Sequence, residues 1–329
     1  MKKILVISPK FYSYRETIVD QISKNGHEVH FFDERPSNTT LMKIFLRLKL
    51  NALVKNKIKK HYEKILSNIS ANPYDLILFI NVEVLNKKIL KQMREIAPNS
   101  EFVLYMWDSA KNKPKFPKLV SLFDRAYSFD RVDADKYGSL MFQPLFYNDE
   151  FEGEVSNTNV AYDISFVGAG HSDRCKILNE IKKQSTNLDL KLKYYIFFQS
   201  KIIYFLQILK GFNIINNLKG ECHFKSISFN EINKIYSESN VVIDISHSKQ
   251  TGLTMRTIEN LGLNQKLITT NKNVADYNFF DEKMIYILDR DNLKLPSLDF
   301  FSNQHSYDEK IRKEYSLSSW LGVVIGSDT

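Results

Sequence analysis

Arg256 and Glu259 are the residues of this 329-residue chain whose types and spacing most directly describe a ligand site. On a helix an i,i+3 pair shares one face. A guanidinium matches phosphate oxygens with paired hydrogen bonds. A cation for a diphosphate beside a carboxylate for two ribose hydroxyls would make a nucleotide clamp. The same two residues could also form only a surface ion pair, worth about 0.2–0.5 kcal/mol.

The elements that must position them are readable around the pair. Residues 241–245 (VVIDI) form a β-branched run of the kind found in buried parallel strands. A polar loop, 246–253, follows. Residues 254–263 carry Met255, Ile258, Leu261 and Leu263 and read as a helix with one buried side. Residues 266–270 form a second strand. Ligands of open α/β sheets bind outside the carboxyl ends of the strands, and the free N–H groups of a helix start attract phosphate. The loop and the first helical turn, with Arg256 in it, lie at that edge.

This segment resembles the donor-nucleotide region of GT-B glycosyltransferases, particularly the CgeB-like and capsule or lipopolysaccharide biosynthesis enzymes of bacteria. Their pattern, roughly Q-x-G-x-x-x-R-x-x-E before a strand, is matched by Gln250, Gly252, Arg256 and Glu259. The resemblance implies that Arg256 binds the donor's diphosphate and Glu259 its ribose. Two departures stand out. Many retaining relatives carry a glutamate where Thr251 stands, which leaves the anomeric outcome open. The usual glycine before the last strand is Asn264, which still tolerates a left-handed backbone.

Length and composition set the frame. The chain suits two domains of about 150 residues, and 43% hydrophobic residues allow proper cores. Only Cys175 and Cys222 are present, so no disulfide framework is implied and a reducing cytoplasm fits. The opening MKKILVISPK has too short an apolar run for a signal peptide and reads as a first strand. No run of 18 apolar residues is present. The net charge of +8 is concentrated: residues 41–65 hold eight basic residues and one acid, on helically spaced Leu41, Ile44, Phe45, Leu48, Leu53 and Ile58. Such a basic amphipathic helix fits an anionic membrane surface or, alternatively, a long solvated helix packed on the sheet. Nucleic acid is disfavoured, because no aromatic platform is interleaved with the basic residues.

Residues 1–145 alternate strand and helix patterns, as a parallel sheet requires. Strands are expected at 3–7, 28–32, 76–80, 102–107 and 125–129, with helices at 15–24, 41–69, 87–96 and 116–122. Ser8-Pro9-Lys10 stands where a dinucleotide-binding glycine motif would be, so no redox cofactor is expected. Three strand ends present carboxylates: Glu83, Asp108 and Asp130. The run YMWDS…FDRAYSFDRVDADKYG…QPLFY resembles a recurring stretch of the same glycosyltransferase group. An inverting transferase needs a base for the acceptor hydroxyl; Asp108 is the first candidate, then Glu83, then Asp130. Each could instead be a helix cap or loop residue.

Residues 142–162 turn polar and acidic and read as a linker, with the boundary near residue 150. The second lobe opens with a strand at 163–167 and Gly168-Ala169-Gly170-His171-Ser172-Asp173-Arg174, a glycine-containing turn that lets N–H groups approach a phosphate. In the resembling enzymes this S-F-V-G turn with a following arginine lines the donor diphosphate; Gly168 and Arg174 carry that match. Residues 196–215 are apolar and aromatic with Lys201 and Lys210 as their only charges, which fits a membrane-docking helix or a buried one. The triplets 133–135 and 289–291 (DAD and DRD) are read as solvated residues, and no metal site is expected. A closing helix, 305–320, can cross back to the first lobe.

The reading is therefore an α/β protein of two Rossmann-like lobes facing across a cleft, the GT-B architecture. Residues 1–150 would hold the acceptor and 151–329 a nucleotide-sugar. The activity implied is sugar transfer to a saccharide or lipid-linked acceptor in surface polysaccharide biosynthesis, without a cofactor, in the cytoplasm or at the inner face of the plasma membrane. The rivals are a nucleotide-sugar epimerase on the same fold and a non-catalytic membrane-associated binding protein.

Overall fold

Runs of β-branched and aromatic residues build two six-stranded parallel sheets in the computed structural model, which describes residues 1–10, 14–39, 42, 51–153, 160–210, 217–248 and 250–326. The chain divides into two units, Met1–Leu145 with Leu317–Thr329 and Phe146–Ser316.

In the first unit the strands are β1 (Lys3–Ser8), β2 (Glu28–Asp33), β3 (Leu76–Ile80), β4 (Glu101–Met106), β5 (Arg125–Ser128) and β6 (Met141–Phe142), ordered β2-β1-β3-β4-β5-β6. Every side chain of β3 is buried, as helices on both faces of a parallel sheet require. The strand order reverses between β1 and β3, so Ser8 to Lys10 and Asn81 to Glu83 share the crevice at that switch. Asn81 turns the chain there with φ 49°.

The helix Asn51–Ala71 buries Val54, Ile58, Tyr62, Ile65 and Ile69 at spacings of three and four, while Lys55, Lys57, Lys59, Lys60 and Lys64 stay exposed. The described part of the basic segment thus packs its apolar stripe into the lobe's own core; residues 43–50 lie outside the described residues. The expected helix at 116–122 is instead two 3-10 turns, Phe116–Lys118 and Val120–Leu122.

In the second unit β7 (Tyr162–Ala169), β8 (Leu192–Phe197), β9 (Cys222–His223), β10 (Ser239–Asp244), β11 (Lys266–Thr269) and β12 (Ile285–Ile287) are ordered β12-β11-β10-β7-β8-β9. This is the doubly wound Rossmann order, whose switch point lies between β7 and β10. Asn264 has φ 54°, the left-handed turn expected of it, and its side-chain oxygen accepts from the Tyr307 N–H at 2.9 Å.

Two expectations about the connecting segments are corrected. The stretch read as a linker is packed as far as Phe151, with Phe146, Tyr147, Asn148 and Phe151 all buried; residues 154–159 lie outside the described residues. The helix Met255–Gly262 ends against it, and a Cβ at Gly262 would stand 2.5 Å from the Phe151 carbonyl oxygen. The closing helix is broken into Glu309–Glu314 and Leu317–Leu321. Between them the Tyr315 carbonyl accepts from the Tyr147 N–H at 2.9 Å, and Ser316 bridges Tyr147. A main chain paired sideways cannot continue the helical ladder.

Candidate functional site

At the switch of the second unit, β7 runs out through Gly168 and Gly170 into a turn where Ser172 has φ 58°, and the helix Arg174–Asn187 begins. The Arg174 Nε donates to the Ile245 carbonyl at 2.7 Å and its Nη1 to the Ala169 carbonyl at 3.2 Å. The guanidinium therefore clasps the loops after β7 and β10. Burial, reinforced by Arg256 and Arg290 and opposed by Asp244, holds its pKa below the usual arginine value. Partial burial, with Arg174 and His247 beside it, pushes the His171 imidazole down to about 4, so it is neutral at pH 7. The Cβ direction of Gly168 is filled by the Phe166 ring at 2.7 Å, so packing alone explains that glycine.

Arg290 was not among the residues singled out by sequence. It follows β12 in the loop, donates to Thr270 Oγ1 at 2.9 Å and to the Ser246 carbonyl, and pairs with Asp173. It thereby joins the ends of β10 and β11 to the turn after β7. Its neighbours Asp289 and Asp291 are exposed, as expected, and mask it in the sequence as the middle of a D-x-D triplet.

The helix Met255–Gly262 starts on Thr254, whose side chain accepts from the Thr257 N–H at 3.3 Å. Asp244, at the end of β10, accepts from both the Thr254 and Thr257 hydroxyls at 2.8 Å. This fixes the helix start, and with it Arg256, over the strand end. Arg256 donates to the Tyr236 hydroxyl and lies 3.7 Å from Glu259, which is only 4% exposed. Burial opposes the charge on Arg256, but Tyr236, Glu259 and Asp244 outweigh it and raise its pKa. The pair is therefore largely buried, unlike a rim ion pair.

Gln250 and Gly252 brace the loop. Gln250 Nε2 donates to the Gly252 carbonyl at 3.0 Å, and Asn271 Nδ2 donates to the same carbonyl at 3.1 Å. Asn271 and Asn273 also donate to the Thr251 carbonyl, at 3.2 and 3.0 Å. Together the structure brings Arg174, Gln250, Gly252, Arg256 and Glu259 to the loops around one strand edge, with Gly168 at the end of β7.

In the first unit Asp108 follows β4, half-buried, and accepts from the Ser109 N–H at 3.1 Å and Asn112 Nδ2 at 2.8 Å. Asp130 caps the helix Arg131–Lys136 by accepting from the Val132 N–H at 3.1 Å. Asp133 corrects an expectation: it is buried rather than solvated, and accepts from the Ala110 N–H at 2.6 Å. Burial raises its pKa, and the charges of Asp130 and Asp108 add to the rise. Asp108 and Asp130 thus both act on Asp133, after β4 and β5. The sequence shows Asp133 only as part of a D-x-D triplet at i+3 from Asp130, with nothing local to mark its burial.

Glu83 is paired with Arg35 at 2.7 Å and Lys113 at 2.9 Å. Burial opposes these partners, but they prevail and hold its carboxyl below the usual range, which weakens it as a base. Its loop is anchored by the buried Glu34, whose Oε1 accepts from the N–H groups of Glu83, Val84 and Leu85 at 2.9, 2.6 and 2.9 Å. Among the described residues, no group of three or more His, Cys, Asp or Glu is arranged to hold a metal ion.

No family model matches the sequence, and no curated protein matches it. Solved structures do. The α,α-trehalose 6-phosphate synthase of Burkholderia multivorans is similar with a TM-score of 0.65 at 10% identity, over 99% of this chain and 96% of that one. Anabaena HepE, solved with UDP and glucose, is similar with a TM-score of 0.57 at 10% identity, over 99% and 95%. A Methanocaldococcus jannaschii UDP-GlcNAc 2-epimerase, solved with UDP-GlcNAc and UDP, is similar with a TM-score of 0.52 at 9% identity, over 99% and 100%. At such identities the likeness carries the fold: an α/β chain of two Rossmann-like lobes, the GT-B fold.

Proposed function

We propose that this chain is a glycosyltransferase that moves a sugar from a nucleotide-sugar to a saccharide or lipid-linked acceptor in bacterial surface polysaccharide biosynthesis. The observation that carries the reading is Arg174. It is a guanidinium at the topological switch whose charge is disfavoured by burial and by Arg256 and Arg290. An incoming diphosphate would relieve that repulsion, and a preorganised cationic site stabilises charge as it builds on a leaving group. The solved relatives support the reading through their fold and through the UDP and glucose present with HepE.

In this reading the second lobe takes the donor. Arg256 and Arg174 hold the diphosphate, the backbone near Gly168 and Gly252 borders it, and Glu259 orients the ribose. The first lobe takes the acceptor. There Asp108 accepts the proton of the attacking hydroxyl as the oxygen bonds to the anomeric carbon and the bond to the diphosphate breaks. Beside it the buried Asp133, whose own pKa is raised by burial and by the charges of Asp130 and Asp108, sits on the Ala110 N–H. No metal is required, because the protein's own cations face the leaving group. The site of action is the cytoplasm, at the inner face of the plasma membrane, where the exposed lysines of the helix Asn51–Ala71 meet anionic lipid.

Incubation with a panel of nucleotide-sugars and acceptors, with mass detection of the released nucleotide, tests this. Release of nucleoside diphosphate with a glycosylated acceptor is expected, and release from none of the donors counts against it. An epimerase is the second reading, favoured by His171 and His247 standing close at the switch and by the epimerase of similar fold. Epimerised sugar from donor alone would select it.

A further inference from the structure

The helix Lys201–Lys210 leaves an apolar stripe uncovered on the second unit. Ile202, Phe205, Leu206 and Leu209 fall at i, i+3, i+4 and i+7, and they are 72%, 60%, 53% and 82% exposed. The opposite side is anchored: Tyr204 and Ile208 pack against the lobe's core. The Tyr204 ring lies 5.2 Å from that of Phe198 and 5.5 Å from that of the exposed Phe224, which extends the patch beyond the helix. Isolated exposed apolar residues are ordinary, whereas a contiguous stripe of large ones marks a surface built to be covered.

The charges of this stretch of the chain select the cover. Residues 190–228 contain six lysines (191, 193, 201, 210, 219 and 225) and one acid, Glu221, an excess of 6 − 1 = +5. That acid is already paired with Lys182 at 2.6 Å. Lys191, Lys201, Lys219 and Lys225 are exposed. A helix of this length is about 15 Å long, and no helix of the described residues is long and apolar enough to cross a membrane. An apolar face on a helix that carries Lys201 and Lys210 and no acid, with Lys225 next to Phe224, matches the acyl–headgroup boundary of an anionic bilayer, with the helix lying in the plane.

We propose that this face of the helix Lys201–Lys210, with Phe224, docks onto an anionic phospholipid membrane. Ile202, Phe205, Leu206 and Leu209 enter the boundary, and Lys201 and Lys225 meet the phosphates. The docking is independent of the sugar-transfer reading, since none of these residues belongs to the donor or acceptor sites.

The test is flotation of the whole chain with vesicles of phosphatidylcholine alone and of phosphatidylcholine with phosphatidylglycerol in equal parts. Binding is expected to the anionic vesicles and to weaken with added salt. The double variant Phe205→Glu/Leu209→Glu should bind roughly tenfold or more weakly, since two apolar anchors become like-charged with the lipid. Its melting curve should be unchanged, because both side chains are exposed. In Phe205→Trp, indole emission should shift to the blue on the anionic vesicles only. Undiminished binding by the double variant, equal binding to both vesicles, or no binding would each overturn the proposal. So would a lipid-free dimer that the double variant abolishes, which would assign the stripe to a second copy of the chain.

Discussion

The Arg256 guanidinium lies 3.7 Å from the Glu259 carboxylate, one helical turn on, and both stand beside the end of a buried strand. An ion pair on open surface would contribute little. Here the cation has lost much of its water and is held by Tyr236 and Glu259, so it is pre-positioned for an anion.

Nucleotide binding should show this. A nucleoside diphosphate at 100 times its dissociation constant is expected to stabilise the fold by about 2.7 kcal/mol, seen as a raised melting temperature. Arg256→Ala should remove most of that rise. An unchanged melting curve with uridine, guanosine, thymidine and cytidine diphosphates would remove the basis for a donor site.

Asp108→Asn should abolish transfer while donor binding persists, because the amide keeps the contacts to Ser109 and Asn112 but cannot take a proton. Turnover at the wild-type rate would eliminate Asp108 as the base.

The Arg35–Glu83–Lys113 network predicts a pH dependence. The Glu83 carboxyl has a folded pKa below that of an ordinary glutamate, about 4.3, burial being outweighed by the two cations. Its contribution to stability is therefore complete above that value and is lost as pH falls through the lower folded pKa. Denaturant titrations from pH 6 downward should show stability falling below about pH 4.5, with a shallower fall in Glu83→Gln. Identical acid limbs would refute the assignment.

Gly262→Ala should destabilise the second lobe by about 1–3 kcal/mol, since the new methyl meets the Phe151 carbonyl oxygen and the Tyr147 ring. Chemical denaturation reads this directly; a neutral effect would mean the segment before the lobe is loosely seated.

Asn264→Ala should cost about 1–2 kcal/mol from its φ of 54°, while Asn264→Gly should relieve the backbone and lose only the contact to Tyr307. Equal losses in both variants would place the effect in the side-chain hydrogen bond instead.

The sequence alone determined most of the strands and the α/β class, though not β6. Runs such as LILFI and VVIDI are apolar on both faces, and only a sheet covered twice accepts them. It also determined the left-handed turn at Asn264 and the shared face of Arg256 and Glu259, because both follow from neighbours within one turn of chain. Tertiary structure decided what distance along the chain conceals. Arg290 reaches Ser246 across 44 positions, and Tyr236 reaches Arg256 across 20. Asp133 became a buried acceptor through Ala110, 23 positions away. Both helices place large apolar residues at helical spacing, yet the helix Asn51–Ala71 turns its stripe into the core and the helix Lys201–Lys210 turns one outward. Periodicity tells which residues share a face; only the packing of the whole lobe tells what that face meets.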